Sequence, residues 1–148
     1  MSLTGVCTAL AAVSVTANGK TPQVLNYNAL RPSLTTAALP ARLIFPFGTQ
    51  LGATMRALTI AGTPKQVDWQ IVDLMLWDTA GQTRGIATMA PILTAYIDAY
   101  MTAIRAQVRL VASPVAVIER VSFVADILTY GEQDYWGVET TLTIKETG

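Results

Sequence analysis

Histidine is absent from the 148 residues. That removes the commonest general base and the commonest neutral metal ligand. A Ser–His–Asp triad and a Cys–His pair are both excluded, and zinc would have to rely on one thiolate and carboxylates, a poor set. Cysteine is reduced to Cys7, so no internal disulfide forms and the fold does not depend on oxidation. A reduced, cytoplasmic origin fits that count. Charge is also scarce, at 14% of residues against about 25% in ordinary domains. Ten basic and ten acidic residues cancel and are scattered, giving neither a polyanion-binding patch nor an acidic tail. No apolar run reaches the ~18 residues of a membrane-spanning helix. The opening "MSLTGVCTALAAVSVTANGK" has the small residues of a secretion signal but no basic start, its first positive residue being Lys20. It reads as an amphipathic or buried helix.

What the chain has in excess is apolar surface, at 51% of residues. A single domain is expected at this length, burying roughly 70% of its unfolded surface. Twenty charges cover the remainder thinly. Part of the apolar surplus is therefore expected to meet other protein surface, in an oligomer.

Along the chain, Leu3, Val6, Leu10 and Val13 recur at helical spacing and predict a helix over 2–17. Asn18-Gly19 stops it, since both tolerate left-handed backbone. Residues 20–40 have no period and carry Pro22, Pro32 and Pro40, which predicts an arm that is functional or packed on a neighbour. "ARLIFPF" (41–47) predicts a strand with Leu43, Phe45 and Phe47 on one face, and Pro46 places it near an edge or end. A second strand is predicted over 53–61, followed by a Gly62-Thr63-Pro64 turn.

The third strand, 66–77, is apolar on both sides. Val67, Trp69 and Ile71 alternate with Asp68 and Gln70, and then Val72, Leu74 and Leu76 alternate with Asp73 and Met75. The shift between Ile71 and Val72 predicts a β-bulge. Twelve residues reach about 40 Å, long enough to leave the body of the domain and meet another subunit. A twisted core strand is the other reading. Trp69, Ile71, Leu74, Leu76 and Trp77 are accordingly the candidate subunit interface. "DTAGQTRG" (78–85) lacks the G-x-x-x-x-G-K-S/T spacing of a phosphate loop and reads as a polar loop. Its Gln82 and Arg84 are candidates for a channel lining or a ring–ring contact.

Residues 90–110 predict the strongest helix. Pro91 suits its first position, Leu93, Tyr96, Ile97, Tyr100, Ile104 and Val108 form its stripe, and Asp98, Thr102, Arg105 and Arg109 lie opposite. After Ser113-Pro114 a hairpin follows. Val115, Val117, Val121, Phe123, Ala125 and Ile127 share a face with Glu119 intruding, the turn is 131–134, and 136–146 turns Trp136, Val138, Leu142 and Ile144 inward. The fold class is α+β: an antiparallel or mixed β-sheet of four to five strands, with an N-terminal helix and one long central helix packed on it.

Carboxylate chemistry has two candidate pairs. Asp73 and Asp78 face opposite ways on a regular strand, while Glu132 and Asp134 sit in a hairpin turn where acids stay hydrated or bond to backbone. Both pairs read as solvated surface, and Cys7, with no basic neighbour, reads as packing. Acids flank Trp69 and Trp77, the wrong sign for stacking single-stranded nucleic acid. Neither a cofactor nor a metal is expected.

The pieces "ALPARLIFPF", "WQIVDLMLW", "LTAYIDAYMTAI" and "ILTYGEQDYWGVETTLTIKE" follow in order over nearly the whole chain. That order resembles the tail terminator or tail-completion proteins of long-tailed bacteriophages, and is similar to their neighbouring head–tail joining proteins. The resemblance implies a non-enzymatic structural virion protein. Its subunits would close into a homo-oligomeric ring, commonly a hexamer, at the head-proximal end of the tail tube. The ring would be assembled in the host cytoplasm, stop tube growth and meet a head-completion or connector protein, and DNA would pass through it without specific binding. The alternatives are another connector or tail-tube component, or a small-molecule-binding domain with a pocket between long helix and sheet.

Overall fold

The computed structural model describes residues 3–46, 55–59, 66–81, 85–112 and 115–147, with backbone only for 55–59, 66 and 112. The elements in chain order are α1 (Leu3–Ala11), β1 (Gln23–Leu25), β2 (Ala41–Phe45), β3 (Met55–Thr59), β4 (Gln66–Thr79), α2 (Ile86–Ala106), β5 (Arg109–Ala112), β6 (Val115–Tyr130) and β7 (Gln133–Thr147). The class is α+β. The strands form one mixed sheet in the order β1-β2-β4-β7-β6-β5, with β3 also on β4. Among the described residues only β1 and β2 run parallel. The sheet has seven strands where four to five were expected, because short β1 and β5 extend it at either end.

β4 is central. β7 pairs it from Gln66 to Thr79, while β2 and β3 divide its other side. Its length is used inside the domain, so it does not leave the body. The predicted bulge between Ile71 and Val72 is also absent: register with β7 runs unbroken from Gln66 to Leu76 and shifts only between Leu76 and Asp78. The strand alternates regularly, but both of its faces are apolar. Ile71, Met75 and Trp77 join one buried cluster with α1 and α2, and Val72, Leu74 and Leu76 join a second with Leu25, Leu43 and Tyr135.

Arm 20–40 covers that second face. Leu30, Leu34 and Leu39 pack against it, Tyr135 donates a hydrogen bond to the Leu34 carbonyl at 3.4 Å, and Tyr130 donates one to the carbonyl of Arg31. The arm therefore packs on its own chain.

α1 ends at Ala11, well short of residue 17. Val13, Val15 and Ala17 are buried while Ser14 and Thr16 are exposed, a period of two that makes this stretch extended. Asn18 and Gly19 do take left-handed angles, φ 54° and 72°. They form a two-residue turn closed by hydrogen bonds of 3.0 Å between Ala17 and Lys20. α2 is shifted four residues towards the N-terminus of the expected helix, with Pro91 inside it. Val108 and Arg109 lie beyond it, Val108 is 43% exposed, and Arg109 opens β5.

In β6 the register shifts between Ile118 and Arg120, making Glu119 the extra residue of a bulge. Ala116 and Ile118 precede it in the helical-face cluster, and Val121 and Phe123 follow it on the same face. Val115 and Val117 consequently do not share that face with Val121 and Phe123, as a regular strand would require. The β6–β7 turn is only Gly131-Glu132, both with positive φ (59° and 68°), the type I′ geometry that matches strand twist.

At Gly137, beside the β4 bulge, a Cβ would overlap the Met75 carbonyl oxygen. Gly137→Ala is expected to lower unfolding free energy by about 1–3 kcal/mol through overpacking, read as a shifted urea midpoint at unchanged slope.

Candidate functional site

The five strand residues chosen as a subunit interface are mostly sealed inside their own chain. Ile71 and Leu76 are fully buried, and Leu74 and Trp77 are 4% and 5% exposed. Trp77 lies at the bulge, with the Lys20 ammonium 5.8 Å from its ring centroid. These four offer no side-chain surface to another subunit, because α1, α2 and the arm already cover them. Trp69 is half-buried and its indole N–H donates to Glu146 Oε2 at 2.6 Å. Gln82 and Arg84 lie outside the described residues.

The carboxylates are also rearranged. The bulge places Asp73 opposite Thr140 and Asp78 opposite Trp136, so the two share a face rather than opposing one another. Four strand residues, about 13 Å, still separate them. Asp78 Oδ1 accepts the Thr79 N–H at 2.8 Å. Glu132 and Asp134 are exposed, and Asp134 Oδ1 bonds the Thr129 hydroxyl at 2.6 Å.

Asp73 is the residue that sequence reasoning misplaced. It is fully buried, not solvated. Arg42 reaches it from β2, with Nη2 at 2.6 Å from Oδ2 and Nε at 3.2 Å. Tyr100 of α2 donates its hydroxyl to the same oxygen at 2.8 Å. Arg42 Nη1 donates to the Val13 carbonyl at 2.6 Å, and the guanidinium carbon stands 5.6 Å from the centroid of the Tyr100 ring. Burial alone would lower the Arg42 pKa, but the charge and hydrogen bonds of Asp73 outweigh it and hold the guanidinium above its ordinary value. Burial, reinforced by the Asp73 charge, pushes the Tyr96 and Tyr100 phenols well above 10.0. The one available signal was the pair of opposite charges set in apolar strands, Arg42 and Asp73.

This cluster joins four segments, and the Arg42 and Tyr100 donors bond within it. It has the chemistry of a structural tie, with neither a free nucleophile nor a poised base. Burial pushes the Cys7 thiol up to about 11, so it stays protonated at neutral pH. No group of three metal-ligating side chains occurs among the described residues. A pocket of about 90 Å³ lined by Leu3, Thr4, Cys7, Tyr27 and Pro46 lies beside α1, and is small against the ~300 Å³ of ordinary ligand sites.

The exposed feature is the β6–β7 hairpin. From Arg120 to Thr129 most of β6 is exposed, including Val124 at 54% and Ile127 at 44%. β5 pairs only with 115–117, so beyond the bulge the outer edge of β6 has no strand beside it among the described residues. Comparison of the chain with protein-family models, with curated proteins and with solved structures found no match in any of the three.

Two measurements check the cluster. Arg42→Met or Asp73→Leu alone is expected to cost about 3–5 kcal/mol by stranding a buried partner or its hydrogen bonds, and the double variant Arg42→Met/Asp73→Leu much less than the sum, measured as a double-mutant cycle in urea. The second is alkaline pH. Tyr96 and Tyr100 hold their protons more tightly when folded, so their contribution is whole below the ordinary value of 10.0 and is lost as pH rises above it. The urea midpoint should fall above that pH, less steeply in Tyr96→Phe.

Proposed function

We propose that this chain is a structural subunit that acts by assembly with copies of itself. The observation that carries this reading is the set of large apolar side chains left exposed on a surface poor in charge. Ile86 is 71% exposed, Val124 54%, Ile127 44%, Val108 43% and Met101 36%. Burying such groups between subunits gains roughly 25 cal/mol per Å², and few charges have to be desolvated in the process.

The finer reading follows the resemblance in the sequence. The subunit forms a ring that ends the tail tube of a long-tailed bacteriophage and presents the head-joining surface, with tube protein and head-completion protein as partners. A ring needs two different patches on each subunit, joined head to tail. Exposed apolar residues on two separate elements, α2 (Ile86, Met101) and β6 (Val124, Ile127), are available for them. Among the described residues no helix is long and apolar enough to cross a membrane, in keeping with a virion location.

The mass of the purified protein in solution, alone and with tail tubes, tests the assembly reading. A multiple of the 15.8 kDa chain is expected, and a strict monomer in both conditions overturns it. Imaging of tails made without the protein tests the finer reading. Overlong tubes are expected, whereas tails of normal length that fail to join heads would assign a connector role instead.

A further inference from the structure

The bare edge of β6 specifies how a second copy docks. The two-residue turn makes Tyr130 and Gln133 the closing pair of the hairpin, a pair that exchanges both hydrogen bonds. Alternation from there turns the N–H and C=O groups of Val121, Phe123, Ala125, Ile127 and Thr129 away from β7. Asp126 corroborates this, since its Oδ1 accepts the Ile127 N–H at 2.7 Å, a group that β7 would otherwise have used.

The edge has little of the usual protection. Proteins blunt free edges with charged residues, proline, bulges or short strands; residues 121–130 contain no proline and no bulge, and their one charged residue is Asp126. The strand that would fit it has to match it in length. Among the described residues the other end or side strands are short: β1 has 3 residues, β3 has 5 and β5 has 4. A second β6 has the same bare span.

The geometry points to a second copy of this chain pairing along β6, antiparallel, about a two-fold axis at Ala125. That centre uses the span from Arg120 to Tyr130 while keeping each hairpin turn clear of the other copy's β5. It sets Ala125 against itself, Phe123 against Ile127 of the second copy and Val121 against Thr129, all on the helical face. With the Ile127 N–H of each copy already held by Asp126, the five outward residues then exchange about eight hydrogen bonds, within the range of an ordinary interface. Exposed Ile127 gains an aromatic neighbour, a favourable cross-strand pair. Main-chain pairing supplies the affinity in contacts of this kind. The inference rests on the reading of the chain as a self-assembling subunit. Its two-fold operator differs from the head-to-tail contact that closes a ring, and in combination it joins two rings face to face.

Ala125→Cys tests it, because only this axis brings the position against itself. Mild oxidation is expected to give a covalent dimer on a non-reducing gel. The unmodified protein, with Cys7 buried, and Thr129→Cys, whose thiols lie about 26 Å apart across the axis, are expected to give none. Ala125→Pro, which removes only an outward N–H, is expected to stay folded by circular dichroism and halve the mass in solution. An Ala125→Cys protein that does not cross-link, or a Thr129→Cys protein that links equally well, overturns the two-fold. If the unmodified protein still has a multiple of the chain mass, that failure leaves the assembly reading intact. A strict monomer overturns both.

Discussion

The buried pairing of Arg42 with Asp73 is the constraint around which this fold is arranged. A carboxylate at the centre of β4 cannot be left uncompensated in an apolar layer, so β2 has to lie beside it in the register that brings Arg42 there. The guanidinium has further donors to satisfy, and the Val13 carbonyl takes one, which fixes the extended stretch after α1. Tyr100 completes the oxygen from above and so sets the position of α2. One ion pair thereby fixes the relative placement of two strands, a helix and the N-terminal segment. Hydrophobic burial supplies the bulk of the stability on both faces, but it is tolerant of sliding, whereas these hydrogen bonds are not.

The two faces of the sheet are finished differently. Helices close one, while the arm closes part of the other with leucines and with hydrogen bonds to the hairpin tip. Among the described residues the sheet is thus sealed in its middle and left bare along the outer part of β6. The greasiness that pointed to partners belongs to the outer hairpin and to α2, and not to the tryptophan-bearing strand.

The legible parts of the sequence were those where local pattern and tertiary setting agree. The alternation from Trp136 to Ile144 and the stripe through Leu93, Tyr96, Tyr100 and Ile104 describe the faces that are buried. Asn18-Gly19 announced its left-handed angles. The failures share one physical origin, partners distant in sequence. Asp73 looked solvated because Arg42 stands thirty-one residues earlier. β4 looked like an intersubunit strand because the arm that covers it has no periodicity of its own. Glu119 looked like an intruder on a regular strand, when a bulge had already changed the facing of the residues before it. Of the proposed interface, only Trp69 keeps exposed surface. The exposed edge of β6 was not visible, since edge and centre are properties of sheet order.

The arm's docking site has a consequence for biosynthesis. Leu30, Leu34 and Leu39 share one cluster with Leu128, Tyr130 and Tyr135, which leave the ribosome roughly a hundred residues later. Synthesis at about 5–20 residues per second puts several seconds between the arm and this part of its cluster on every nascent chain. Until the β6–β7 hairpin emerges, that part of the arm's packing cannot form.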